Sequence, residues 1–266
     1  MLMHPFILYL LTGAVAGLLA GMLGVGGGLI IVPILTFIFA ASGFAPDYIL
    51  HLALGTSLAT ITVTSISSAR AHHRHGAVNW EAVRRIAPGI AFGCLVGAWV
   101  AAQLDIRPLK WLFVAFEFYV GTQMLLRFAP HPHRSFPGTL GMSLMGTAIG
   151  LLSSLVGIGG GTLSVPFMLY CNRSMREAVG TSSAIGLPIA VFGSLGYIAS
   201  GWHLEQLPPY SLGLVYLPAA FGIAFVSLFT APWGAKLAHR LPVALLRKFF
   251  AVLLYALGAK MALSLI

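Results

Sequence analysis

Polar residues in this chain are gathered into short intervals, and between them run apolar stretches longer than a soluble helix needs. Eight blocks stand out, at roughly 5–41, 49–69, 82–104, 109–128, 137–171, 177–200, 210–237 and 243–266. A helix crossing a bilayer takes about 20 apolar residues, so six of these blocks predict single spanning helices. Blocks 5–41 and 137–171 are about 35 residues each, too long for one straight crossing at a rise of about 1.5 Å per residue. Each is interrupted by a glycine cluster that divides it into two shorter pieces.

The two interruptions are copies of one pattern. Gly24, Gly26, Gly27, Gly28 and Pro33 return as Gly157, Gly159, Gly160, Gly161 and Pro166, each 133 positions later. The duplication continues beyond them. Gly55-Thr56-Ser57 returns as Gly180-Thr181-Ser182, and Leu109-Lys110 followed by Gly121 returns as Leu246-Arg247 followed by Gly258. The chain therefore reads as two four-block units, 1–129 and 137–266, joined by the linker 130–136.

Charge decides how the units are set in the membrane. If every block crossed once, the loop Lys and Arg would divide six against eight, which the positive-inside bias disfavours. If each long block instead folds back at its glycines and leaves by the face it entered, twelve of the same fourteen share one side; only Arg107 and Lys110 stay opposite. The expected fold is thus an all-α polytopic membrane protein of two inverted repeats. Each repeat is a glycine-broken hairpin or discontinuous helix plus three transmembrane helices. Both termini are expected outside, with the basic loops 70–85 and 236–248 in the cytoplasm.

Composition narrows the classes. The chain is 58% hydrophobic and 8% charged, against about 25% charged in a soluble domain. Fifteen Lys+Arg against six Asp+Glu would suit nucleic acid only if a basic module stood apart from the blocks, and none does. Block one resembles a signal peptide around AVAG at 14–17, but it lacks a basic leading region and its pattern recurs mid-chain. It is therefore not expected to be a signal peptide. Cys94 and Cys171 lie in or beside apolar blocks and are expected to behave as small buried hydrophobes.

Chemistry is expected at the breaks. After Gly28 and Gly161 a helix restarts, and a helix start offers free N–H groups with about half a positive charge. Unwound backbone at membrane depth is tolerated where it lines a cavity, and paired Gly/Pro-interrupted segments point to a transporter's binding site. Gly24, Gly26, Gly27, Gly28, Gly157, Gly159, Gly160 and Gly161 are therefore candidate substrate contacts, with Pro33 and Pro166 structural. Thr56, Ser57, Thr181 and Ser182 are candidate hydroxyl donors to the same solute; Thr60 to Ser68 are expected to bond back to their own helix's carbonyls or across to a neighbouring helix. Glu117 is the candidate proton carrier, while Lys260 is expected to reach the interface. His72, His73, His75, His131 and His133 have arginines rather than carboxylates or thiolates beside them, so a solvated face is expected and neither a metal nor another cofactor. No G-x4-GK[ST] phosphate loop is present, leaving an ion gradient or the solute's own gradient as the driving force.

The duplicated G-x-GGG-x4-P, followed by G-T-S in the next helix, resembles the TauE/SafE family of sulfite and organosulfonate exporters and related anion permeases, over nearly the whole chain. The resemblance implies an inner-membrane carrier for small sulfur-containing anions, with both glycine motifs at its centre. The expected function is a secondary transporter exporting such an oxyanion by alternating access. An uptake permease or channel for another small anion is the alternative. From a different class, an intramembrane enzyme would need a Ser/His pair such as Ser65 and His51, which are fourteen residues apart, roughly 21 Å along a helix.

Overall fold

The computed structural model describes residues 3–23, 27–126, 136–238 and 243–265. Ten α-helices account for nearly all of them: α1 (Met3–Leu23), α2 (Gly28–Ala41), α3 (Ile49–Arg74), α4 (Trp80–Gln103), α5 (Ile106–Leu126), α6 (Thr139–Val156), α7 (Gly161–Tyr170), α8 (Met175–Ser200), α9 (Leu217–Ala238) and α10 (Val243–Leu263). Among the described residues six are long and apolar enough to cross a membrane: α1, α3, α4, α6, α8 and α9. The chain is a helical membrane protein. Gly24 and Gly26, and the linker residues His131 and His133, lie outside the described residues.

Both long blocks break at the predicted glycines. Gly27 caps α2 in the left-handed region, at φ 73°, and Gly157 ends α6 there, at φ 66°; an L side chain would be strained at either. After each break the chain doubles back. Gly27 lies against Ala16 and Ala20 of α1, and the ring of Tyr9, near the start of α1, meets Phe39, near the end of α2, at 6.3 Å. In the second block the Arg173 guanidinium, just past α7, sits 4.3 Å over the Phe136 ring that precedes α6. Pro33 and Pro166 each occupy the sixth position of the helix after the break, where the missing N–H frees one carbonyl of the first turn.

One boundary differs from the sequence pattern. Block 210–237 begins with a two-residue β-hairpin, β1 (Ser211–Leu212) and β2 (Val215–Tyr216), with Ser211 opposite Tyr216 and Leu212 opposite Val215; α9 starts only at Leu217. The turn's Leu214 and Val215 are buried, wedged where α3 and α8 cross. An apolar run hides such a hairpin, because burial and not periodicity sets its hydrophobicity.

Helix packing comes in matched pairs. α1 packs lengthwise on α9, and α4 on α6, both parallel. Gly13 lies against Ile223, Gly17 against Ser227 and Gly21 against Ala231, while Gly89, Gly93 and Gly97 lie against Ser143, Thr147 and Leu151. These are small-residue stripes at four-residue spacing, which let backbones approach as membrane helices require in place of a hydrophobic drive. α3 meets α8 antiparallel, Gly55 near Tyr197 and Ser65 near Gly186. α5 meets α10 the same way, Gly121 on the Tyr255 ring and Gly258 on the Phe118 ring.

Candidate functional site

α3 gives the site its axis. Its first turns hold His51, whose Nε2 lies 3.0 Å from the Ala101 carbonyl and 3.1 Å from that of Leu104, tying this end to the end of α4. Its last turn holds His72, at the end where α8 and α4 begin. Around Tyr216 the His51 end is sealed by aromatic rings. Phe39 and Phe44 stack at 4.9 Å, and both meet Tyr216 edge-on.

The two glycine breaks touch halfway along α3. A β-carbon on Gly28 would lie 2.5 Å from the Gly157 carbonyl oxygen and 2.9 Å from Ile158 Cα. Ser57 donates its hydroxyl to that same carbonyl at 2.8 Å. Gly28, Ser57 and Gly157 are thus brought together as one tight contact between the two halves of the chain.

Open space begins on one side of this contact and runs toward the His72 end, a cavity of about 300 Å³. The second break supplies Gly159, Gly160 and Gly161; α8 supplies Ser182 and Ser183; α3 supplies Thr64, Ser65, Ser67, Ser68 and His72. α1 and α9 complete the wall, Ser227 among them. Seven hydroxyls line it. No Asp, Glu, Lys or Arg does among the described residues, and His72 is the one ionisable group. Thr64, Ser183 and Ser227 donate to backbone carbonyls, while Ser65, Ser67 and Ser68, beside the first turn of a helix, can donate hydrogen bonds to an anion without the cost of a buried cation. The wall offers no carboxylate to a cation.

The G-T-S residues divide between two tasks. Gly55 packs against the Leu214 backbone and Thr56 Oγ1 accepts the Tyr216 N–H at 2.9 Å. Gly180 packs against Ala77 and Thr181 Oγ1 accepts the Asn79 N–H at 3.0 Å. Each Gly-Thr therefore clamps the start of a long helix from the other half, α9 in one case and α4 in the other. Ser182 shares a 2.6 Å hydrogen bond with Ser164, which also donates to Gly160 O at 2.5 Å, so this serine reaches the second break. Thr56, Ser57, Thr181, Gly27 and Gly28 do not line the cavity.

Of the α3 hydroxyls from Thr60 to Ser68, Thr60, Thr62 and Thr64 donate back to the Ser57, Leu58 and Ile61 carbonyls. Yet Thr64, Ser65, Ser67 and Ser68 also face the cavity. The missed signal was their spacing, which keeps one α3 stripe polar over two turns. His51 is held by backbone carbonyls at the far end of α3 from Ser65, so the two form no nucleophile and base. Glu117 is fully buried on α5, against Gly258 of α10, away from the cavity wall. Lys260 Nζ rests 4.2 Å over the Phe37 ring.

A family model described as sulfite exporter TauE/SafE matches residues 9–261. The chain belongs to the TauE/SafE family. Among its relatives is a probable membrane transporter protein of Haemophilus influenzae, 38% identical over 98% of this chain and 100% of the relative. A probable membrane transporter protein of Methanocaldococcus jannaschii is 28% identical over 96% of this chain and 95% of its own. A third relative, the probable inner membrane transporter protein TsaS of Comamonas testosteroni, is 28% identical over 69% of this chain and 74% of its own length. No solved structure matches. The family's description and its relatives' names are those of membrane transporters, which implies a small-molecule substrate and a multi-pass place in the membrane for this TauE/SafE chain.

Proposed function

We propose that this chain is a secondary carrier that exports a small sulfur-containing oxyanion, sulfite or an organosulfonate, across the inner membrane by alternating access. The observation that carries the reading is the cavity beside the second glycine break, with Ser65, Ser67 and Ser68 facing it and no carboxylate among the described residues. Its volume suits a small anion with some of its water. The family's description supplies the sulfur chemistry. An inside-negative potential favours anion exit by about 2.3 kcal/mol per charge per 100 mV, which is the reason for writing export.

Alternating access finds support in the unequal state of the two breaks. The second borders open space, whereas Gly28 of the first is packed shut on Gly157. Two units turned over relative to one another would exchange these roles when the carrier faces the other way. The antiparallel meeting of α3 with α8 and of α5 with α10, each pair being matched copies, is what inverted units would produce. With the basic His72 end in the cytoplasm, the cavity opens inward here, and both termini lie outside.

The test is counterflow of labelled sulfite and sulfoacetate in liposomes containing the purified protein. Saturable counterflow is expected, and Ser65→Ala should raise the half-saturating concentration about tenfold, the loss of one hydrogen bond of about 1.5 kcal/mol to a charged solute. Conductance without counterflow would make the protein a channel, and an unchanged Ser65→Ala would remove the cavity from the transport path.

A further inference from the structure

We infer that Glu117 is the proton site that couples transport to a pH gradient, an inference that rests on the carrier reading above. The chain has six acidic residues. Asp47, Glu81, Asp105, Glu177 and Glu205 lie at helix ends or in the segments between helices. Glu117 alone lies mid-helix, at 0% exposure, and neither carboxyl oxygen has a hydrogen-bond partner among the described residues. Buried polar groups in native proteins are nearly always paired, and an ionisable residue buried between the helices of a membrane protein marks an ion or proton path by default.

No neighbouring charge among the described residues explains it. On α10, Tyr255 hydrogen-bonds Thr122, Lys260 sits over the Phe37 ring, and Arg247 and Lys248 occupy the first turns. α6 carries no titratable side chain. On α3, His51 is taken up by backbone carbonyls, and Arg70 to Arg74 belong to the opposite end of the helix. Without a counter-charge the buried group is a carboxylic acid in this conformation.

Its position connects it to the moving parts. Glu117 faces Gly258 in the seam between α5 and α10, where Oε2 would stand 3.2 Å from a β-carbon on that glycine. α10 in turn holds α2 through Lys260 on Phe37, and α2 begins at Gly28, the residue closed on Gly157. Opening the first break shifts α2 and therefore loosens the seam. Water then reaches the carboxyl, its O–H bond breaks, and the proton leaves to that water on the newly opened side. On the return step the carboxylate takes a proton from water on the cytoplasmic side before the seam closes over it, so one proton moves outward per cycle.

The experiment uses the full-length protein in liposomes with sulfite and sulfoacetate as probes and a trapped pH-sensitive dye. In the wild type an imposed pH gradient should drive accumulation of the anion, and anion flux should carry protons. Glu117→Gln should keep counterflow but lose gradient-driven accumulation and proton movement, and Glu117→Asp should restore part of both. Equal accumulation by Glu117→Gln and wild type overturns the inference. So does counterflow by the wild type with no linked proton flux, a measurement that needs no variant to fold. If the wild type shows no counterflow of either probe, the carrier reading fails and this inference fails with it.

Discussion

Gly28 is the position where one added methyl group tests the whole arrangement. In Gly28→Ala the new carbon would stand 2.5 Å from the Gly157 oxygen and 2.9 Å from Ile158 Cα, where carbon contacts settle near 3.5–4.0 Å. Both obstacles are backbone, so one half of the molecule must move by about 1 Å relative to the other. Overpacking of this kind costs about 1–3 kcal/mol. Displacing the carbonyl also weakens the Ser57 hydrogen bond at 2.8 Å, another ~1 kcal/mol. The better helix propensity of alanine returns about 1 kcal/mol. The net loss of about 2 kcal/mol corresponds to a melting temperature lower by roughly 4–8 °C for a chain of this size. Thermal unfolding of detergent-purified protein, followed by fluorescence of its five tryptophans, measures it. Combining Gly28→Ala with Ser57→Ala adds a sharper reading. If both act through the Gly157 carbonyl, the double variant should lose about 1 kcal/mol less than the sum of the singles. Strict additivity, or a Gly28→Ala protein melting within about 1 °C of the wild type, would refute the claim that the two breaks bear on each other.

Three further outcomes follow from the same packing. Gly93→Val drives a side chain into the Thr147 backbone and should abolish the monodisperse peak in size-exclusion chromatography, since α4 and α6 cannot then approach. Thr56→Val and Thr181→Val each strand an N–H, of Tyr216 and Asn79 respectively. Each should lower stability by about 1–3 kcal/mol with little change in anion affinity, measured by melting and counterflow; the reverse pattern would make these threonines solute contacts. Single cysteines at Asp47 and His203 should react with an impermeant thiol reagent from outside, and one at Arg173 only from inside; outside labelling at Arg173 would overturn the proposed orientation.

Much of this molecule was legible without coordinates. Apolar runs of spanning length and a charge content of 8% leave a helical membrane protein as the solution, because lipid satisfies no backbone group and helices satisfy their own. Duplicated glycines placed both breaks to within a residue, since few other residues tolerate the left-handed turns at Gly27 and Gly157. What the chain alone left open was which polar groups face one another across it. Thr56 and Ser57 are adjacent in sequence, yet one clamps the start of α9 and the other meets the second break, because successive helical residues point about 100° apart. The α3 hydroxyls face a cavity only because α8, α9 and the α6–α7 break leave space there. Burial of Glu117 without a partner among the described residues likewise depends on α10 lying against it, which begins 126 residues further along the chain. Local pattern fixes which segments are helical and where they must break; contacts between distant helices, set by how closely their glycine faces can approach, decide where the empty space is left.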